Sequence, residues 1–286
     1  MTAVDNTVGG ASDAEAAANS LAQISSGGGG GGGQGKRNWG FAALPLLAGI
    51  ALLVLGPIYW PLARGVLFFG VMALMLIELM LFGWLINERP TGAFIDNRNR
   101  MSLSKLQAAA WTVVVLSGFA TAAAYNIATA MYEGTSITAL AITIPGELLL
   151  AMGISATSLV ATPALLTLKS REAEDDDNLD QAVAKLGPGI ARNGKVLLRA
   201  TPHHASWSDL VTGDEVGNAG SPDLGKIQQA AITLLLLGCY IAYVYADLAG
   251  SAETIRSLPT LDKSFVWLLG ISHASYLAYK AAPHTT

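Results

Sequence analysis

Charged residues are scarce in this chain: they make up 13% of its 286 residues, whereas hydrophobic residues make up 52%. A soluble domain carries roughly 25% charged residues. The composition therefore argues against a soluble globular protein and for a chain that lies largely in a lipid bilayer. The net charge of −4 offers no excess of positive charge that would attract nucleic acid, so nucleic acid is not an expected partner.

Cysteine is almost absent, because Cys239 is the only one and lies inside an apolar run. One cysteine excludes a disulfide framework and a cysteine metal site within a single chain. The sequence also lacks a P-loop, the G-x-S-x-G motif, the H-E-x-x-H motif and the C-x-x-C motif. We therefore predict that the protein is not an enzyme and holds no metal and no cofactor.

Long apolar runs dominate the rest of the sequence. A membrane-spanning helix needs about 20 mostly apolar residues, and six segments meet or approach that length. They are residues 39–60, 65–87, 106–131, 142–168, 227–248 and 264–282, of which the last is the least apolar. The sequence thus predicts an all-α, polytopic transmembrane bundle with six spans.

Three segments outside these runs have soluble character. Residues 1–35 are rich in Gly, Ala and Ser, and we predict a disordered cytoplasmic tail because such a segment buries too little apolar surface to offset its ordering entropy. Residues 88–104 form a short loop between spans. Residues 169–225 form an insert that begins with the acidic run 171–180 and is expected to pack against the short loop, a neighbouring subunit or a partner.

Two hairpins of the chain resemble each other. Residues 105–116 (KLQAAAWTVVVL) and 226–237 (KIQQAAITLLLL) are identical at six of twelve positions, and residues 153–161 and 270–278 are identical at five of nine. The two blocks recur in the same order, which indicates an internal duplication. The predicted division is a two-span leader (36–88), repeat hairpin 1 (89–168), the insert (169–225) and repeat hairpin 2 (226–286).

The placement of Lys and Arg predicts the orientation. With six spans, 14 of the 17 Lys and Arg residues lie on the side of both termini and three on the other side. The positive-inside rule makes the first side cytoplasmic. Both repeats then enter from the cytoplasm as parallel repeats. The charge bias and the lack of a secretory signal suggest a multi-pass protein of a bacterial inner membrane.

Two ionisable residues lie near the middle of predicted spans, Glu78 in the second and His273 in the sixth. Such groups are costly in lipid and therefore suggest function. At equal depth they would form a protonatable pair. The alternative is that a protonated Glu78 and a satisfied His273 only bond neighbouring helices.

Gln107 and Gln228 occupy equivalent places in the repeats, two residues after Lys105 and Lys226. Their amides would form either an interhelical clamp or the polar collar of a pore. The two lysines are expected to extend to lipid headgroups.

Small residues recur every fourth position in both hairpins, a spacing that lets helices approach closely. The pattern does not say whether the partner helix belongs to the same chain or to another subunit. Ser155 and Ser272 lie beside these ridges and add polar contacts. The ridges consist of Gly153, Thr157 and Ala161 in the first hairpin and of Gly270, Ala274 and Ala278 in the second.

The insert carries the acidic residues Asp209, Asp214 and Glu215, whose spacing matches no EF-hand loop. We interpret them as a solvated acidic face.

Packing signals are thus stronger than chemical ones. The leading prediction is a membrane anchor or scaffold that forms homo-oligomers through its small-residue ridges and presents the insert 169–225 to a cytoplasmic protein partner. The alternative is an ion channel or proton-linked transporter that uses Glu78 and His273. An intramembrane enzyme is a third possibility, but it would need a nucleophile and a base of which these two residues supply only part.

Overall fold

The computed structural model describes residues 39–135, 141–172, 176–187, 189–250 and 253–282. The predicted tail of residues 1–35 and part of the acidic run lie outside these ranges. The described residues are mostly helical. They form the helices α1 (Ala43–Tyr59), α2 (Arg64–Asn87), α3 (Leu103–Glu133), α4 (Gly146–Lys169), α5 (Asp176–Leu186), α6 (Leu224–Gly250) and α7 (Lys263–Ala281), and the strands β1 (Ile190–Asn193) and β2 (Val196–Arg199).

Five of these helices are long and apolar enough to cross a membrane, namely α1 to α4 and α6, counted over the described residues. The chain is therefore a helical membrane protein with five candidate spans. The sixth predicted span corresponds to α7, which is 19 residues long. It falls short in apolar content because it carries Lys263, His273 and Lys280 together with three serines.

The helix α3 lies at the centre of the bundle. Its nine alanines, with Ser104, Ser117 and Gly118, let neighbours approach closely, and it packs against α1, α2, α4 and α6. The N-terminus of α3 is capped by Ser102, and its C-terminus ends at Gly134, which has a φ of 63°. The largest buried side chains of the core come from five helices and include Phe68, Leu148, Leu269, Trp111 and Tyr240.

The outer faces of the bundle expose large apolar side chains, for example Leu47 on α1, Ile77 on α2, Val160 on α4 and Leu234 on α6. Soluble proteins rarely expose contiguous apolar surface of this extent. The exposed apolar faces therefore agree with the candidate spans and belong against lipid.

The loops collect at two ends of the bundle. At one end, the backbone N–H of Arg199 donates to the carbonyl of Arg98 (2.9 Å), and Nζ of Lys169 donates to the carbonyl of Ala282 (2.7 Å). We call this end, which holds residues 88–102, 189–223 and 282, the insert end. At the far end, Asn126 exchanges two hydrogen bonds with the backbone of Ile255.

The insert is a small folded unit. Strands β1 and β2 pair antiparallel from Ile190↔Arg199 to Asn193↔Val196, and Gly194 supplies the positive φ of the tight turn between them. The helix α5 packs on this hairpin through a small core of Ala182, Leu197, Val216 and Ala219. The insert is thus a β-hairpin covered by α5, and its strand β2 is joined to residues 88–102 by the backbone hydrogen bond between Arg199 and Arg98.

Candidate functional site: an ion-pair cluster at the insert end

Asp214 lies buried at the centre of a group of cations. Its Oδ1 is 2.9 Å from Nη1 of Arg98, 2.9 Å from Nζ of Lys226 and 3.4 Å from Nη1 of Arg100. Its Oδ2 pairs with Nζ of Lys280. One carboxylate of the insert therefore binds four cations that come from the short loop before α3, the start of α6 and the end of α7.

Asp209 forms a second centre beside the first. Its Oδ1 lies 2.9 Å from Nη2 of Arg199 and 3.3 Å from Nε of Arg100, while its Oδ2 accepts from the backbone N–H groups of Ser206 (2.8 Å) and Met101 (3.3 Å). The carboxylate of Asp209 thus ties the insert to the entrance of α3.

A third pair joins Lys169 at the end of α4 to Glu215. Together with Asp96, which pairs with Arg98, these residues form a set that we call the ion-pair cluster. Its members are Asp96, Arg98, Arg100, Lys169, Arg199, Asp209, Asp214, Glu215, Lys226 and Lys280.

Electrostatics keep the central carboxylates ionised. Burial by itself raises the pKa of Asp214, but the charges of Arg98, Lys226, Lys280 and Arg100 outweigh it and hold that pKa well below its ordinary value. The same balance lowers the pKa of Asp209, for which burial is outweighed by Arg100 and Arg199. Both carboxylates therefore stay charged near neutral pH.

The interpretation of Asp209, Asp214 and Glu215 as a solvated acidic face is wrong, because all three residues are buried. Their cationic partners lie in distant parts of the chain, so local composition gave no sign of the pairing. The expectation that Lys226 extends to lipid headgroups is wrong for the same reason. Lys105 donates to the carbonyl of Ile95 (2.6 Å) and is only partly buried.

The loops that precede α3 and α6 share one backbone pattern. The N–H of Ser102 donates to the carbonyl of Phe94 (2.8 Å), and the N–H of Asp223 donates to that of Val211 (2.8 Å). Both residues cap their helices by accepting from the backbone N–H of the lysine three positions later.

The lysines complete the pattern. Nζ of Lys105 donates to the carbonyl of Ile95, and Nζ of Lys226 donates to that of Thr212 (2.7 Å). Ile95 and Thr212 are the equivalent residues that open an antiparallel bridge in each loop, to Met101 and to Pro222 respectively. The similarity between the two hairpins therefore extends into the loops that precede them.

A pair of buried glutamines joins α3 to α6. Nε2 of Gln107 donates to Oγ1 of Thr233 (2.8 Å), and Nε2 of Gln229 donates to Oε1 of Gln107 (2.9 Å). The predicted partner Gln228 is exposed instead. The neighbouring residue takes its place because one residue along a helix turns the side chain by about 100°.

The small-residue ridges lie mostly on the surface of the chain. Gly153 and Thr157 are exposed, and nothing lies within 4 Å of a Cβ built on Gly153. Gly270 approaches α4, because its Cβ would lie 3.6 Å from Cδ1 of Ile154. Ala161 is partly buried, while Ala274 and Ala278 are exposed. The adjacent Ser155 and Ser272 are buried.

The two predicted intramembrane groups lie apart. Glu78 is on α2, which packs against α1, α3 and α6, whereas His273 is on α7, which packs against α4 and α6. No hydrogen bond or ion pair joins these two side chains in the described part of the chain. His273 is buried, and its Nδ1 lies 3.0 Å from the carbonyl oxygen of Leu269.

The four carboxylates of the ion-pair cluster are all paired with cations of the same chain. Within the described ranges, no group of three or more His, Cys, Asp or Glu side chains is placed to hold a metal ion. Two grooves of about 200 and 250 Å³ have mainly apolar walls. They lie beside Cys239 and Tyr243 and beside Phe41 and Trp84, away from the ion-pair cluster.

Comparison with protein-family models, with curated proteins and with solved structures finds no match to this chain.

Proposed function

We propose that the protein is a six-span membrane anchor or scaffold that presents a fixed cytoplasmic platform to a protein partner. The platform is the insert end, with the insert and the loop 88–102. In this proposal the Lys- and Arg-rich insert end is cytoplasmic in a bacterial inner membrane, and the two similar hairpins arose by duplication. The shared hydrogen bonds of the loops before α3 and α6 support the duplication.

The polar character of α7 is compatible with a sixth span. Its Ser272, His273 and Lys280 are buried against protein, whereas Trp267 and Ile271 are exposed. Polar residues that face the bundle interior do not meet lipid, so they do not prevent a helix from crossing.

The observation that carries the scaffold proposal is the binding of Asp214 by four cations from three separate segments. Buried ion pairs of this kind fix one arrangement, because separating a partner leaves an unpaired charge in a dry environment. A platform held in this way cannot swing on its linkers, which suits a protein that positions others.

Cross-linking tests whether the protein associates with itself through the ridge of α4, which contains Gly153 and Thr157. On a Cys239→Ser background, a Thr157→Cys variant is expected to form a disulfide-linked dimer in membranes under mild oxidation. Gly238→Cys is the matched control, since Gly238 is an exposed helical position on α6 with no atom within 4 Å of its Cβ. Equal cross-linking of the two variants, or a monomeric mass of the wild type in detergent, would contradict self-association through α4.

A proton-linked transporter remains the second candidate because of unpartnered polar atoms between α4 and α7. Nε2 of His273 and the hydroxyl groups of Ser155, Ser158 and Ser272 are buried and have no hydrogen-bond partner among the described residues. Oε2 of Glu78 on α2 is also buried and has no hydrogen-bond partner among the described residues.

Proton flux into liposomes tests the transporter. This function requires pH-dependent flux that His273→Ala and Glu78→Gln abolish, while His204→Ala, at an exposed site of the insert, leaves it unchanged. Absence of flux in the wild type, or flux that survives both substitutions, would exclude the transporter.

A further inference from the structure

The insert carries a small apolar patch at its edge. Trp207 has 59% of its surface exposed and Leu224 has 72%, and Val211 between them in sequence is also exposed. We call these three residues the edge patch. Exposure of large apolar side chains to water is unfavourable in free energy. Contact of the patch with an apolar environment would therefore stabilise it.

Hydrogen bonds fix the depth of the edge patch along the bundle. The turn Trp207–Leu210 begins with a capping box between Ser206 and Asp209. Asp209 accepts from the backbone N–H of Met101 (3.3 Å) and, through its carbonyl, from Nζ of Lys226 (3.0 Å). Trp207 therefore lies level with the first turns of α3 and α6, where the candidate spans begin.

The edge patch also joins an apolar helix face. The N–H of Asp223 donates to the carbonyl of Val211 (2.8 Å), which places Val211 beside the start of α6. From Leu224 onward, α6 exposes Ile227, Leu234 and Leu235. This face belongs to a candidate span, so the patch continues a surface that already belongs against lipid.

We propose that the edge patch inserts into the headgroup region of the bilayer, with Trp207 as its anchor. Tryptophan is enriched at membrane–water interfaces because its ring is apolar and its N–H is polar. The insert would then rest on the membrane surface beside α6. The ion-pair cluster would attach it to the helices, and the edge patch would attach it to lipid. This contact goes beyond the scaffold proposal and is independent of which partner the insert binds.

Spin labels on single cysteines test the depth of the patch. The wild-type Cys239, exposed on α6, is the reference for a lipid-facing site. On a Cys239→Ser background, Trp207→Cys reports the patch. Asn193→Cys, at an exposed residue of the β1–β2 hairpin, reports water. The labelled full chain is reconstituted in phosphatidylcholine–phosphatidylglycerol liposomes, and collisions with oxygen and with a water-soluble nickel complex are measured.

The expected result is several-fold fewer nickel collisions at residue 207 than at residue 193, with more oxygen collisions. A Ser208→Cys variant, which keeps Trp207 in place, is expected to report a depth close to that at residue 207. Nickel access at 207 and 208 equal to that at 193 would overturn the proposal. Shielding of 207 from both reagents would also overturn it, because protein would then cover the patch. A label at 239 that reads as water would also overturn it, because the face of α6 that the edge patch continues would then not lie in lipid.

Discussion

The loops that lead into α3 and α6 share a backbone hydrogen bond, an antiparallel bridge and a helix cap, but they have opposite net charge. The first loop, residues 94–102, carries Arg98 and Arg100, whereas the second, residues 211–223, carries Asp214 and Glu215. The arginines of the first bind Asp214 of the second. The comparison teaches that backbone bonds and caps set the shape of each loop, while its charges decide what it docks against.

Equivalent positions also differ in burial. Asp214 corresponds to Asn97, counted from the bridge residues Thr212 and Ile95, and Asp214 is buried whereas Asn97 is exposed. The second loop is covered by the ends of α4 and α7, which contribute Lys169 and Lys280. A shared sequence pattern therefore yields a shared local geometry without a shared environment.

Replacement of Asp214 by asparagine, the residue at the equivalent position 97, is expected to have the largest effect on stability. Asp214→Asn gives the second loop the residue of the first and leaves Arg98, Lys226 and Lys280 buried without their carboxylate. We expect a loss of about 3–5 kcal/mol in the free energy of unfolding, typical of a broken buried ion pair. Unfolding of the purified protein in mixed micelles measures it.

The reciprocal substitution is the control. Asn97→Asp, at the exposed position of the first loop, should change stability by less than about 0.5 kcal/mol. Similar stability of the Asp214→Asn variant and the wild type would show that the ion-pair cluster does not hold the insert in place.

Acid should weaken the contact between the two loops. Asp214 and Asp209 have pKa values below their ordinary ones in the folded protein. A depressed pKa gives stability that is present above the unfolded-state pKa of about 3.9 and is lost as the pH falls through the folded value. We expect the free energy of unfolding to fall below about pH 4, measured by unfolding at stepwise pH. Asp214→Asn should flatten this dependence, and an unchanged slope in that variant would assign it to other groups.

Two adjacent glutamines at the start of α6 differ in burial, because Gln229 is buried and Gln228 is exposed. Gln229→Ala leaves the buried amide of Gln107 with an unpaired acceptor and should cost about 1–3 kcal/mol. Gln228→Ala removes an exposed side chain and should cost less than about 0.5 kcal/mol. Thermal unfolding of the two variants measures which glutamine contributes more to stability. The reverse order would mean that α6 is rotated by one residue from the arrangement described above.

The two caps should give the smallest effects. Ser102→Ala and Asp223→Ala each remove the side-chain acceptor at the start of a helix and should each cost about 1 kcal/mol. Because the loops share their backbone bonds, we expect the two losses to agree closely. A much larger loss for Asp223→Ala in thermal unfolding would show that Asp223 also takes part in the ion-pair cluster.

The helices were predictable because their signal is local. Runs of apolar residues placed all six predicted spans on helices of the structure, with end points shifted by a few residues. The lower apolar content of α7 is visible in the sequence. That its polar residues face inward is not visible, because burial against protein depends on which helices become neighbours.

The ion-pair cluster was not predictable because its partners are far apart in sequence. Arg98 and Asp214 are separated by 116 residues, and nothing in the local composition of the insert distinguishes a buried carboxylate from a solvated one. The pairing of Gln107 with Gln229 was missed for a different reason. Alignment of the two similar segments matches Gln107 with Gln228. The buried face of α6 instead contains the next residue, Gln229.

The order of synthesis has a consequence for Asp214. The ribosome makes Arg98 and Arg100 first, Asp214 more than a hundred residues later, and Lys280 after all of them. Arg98, Arg100 and Lys226 can pair with Asp214 before α7 is made, so a chain that stops before residue 280 lacks one of the four cations of that carboxylate. The attachment of the insert to the bundle therefore strengthens in steps during translation, and the step made by Lys280 comes only after α7, the last described helix, has been made.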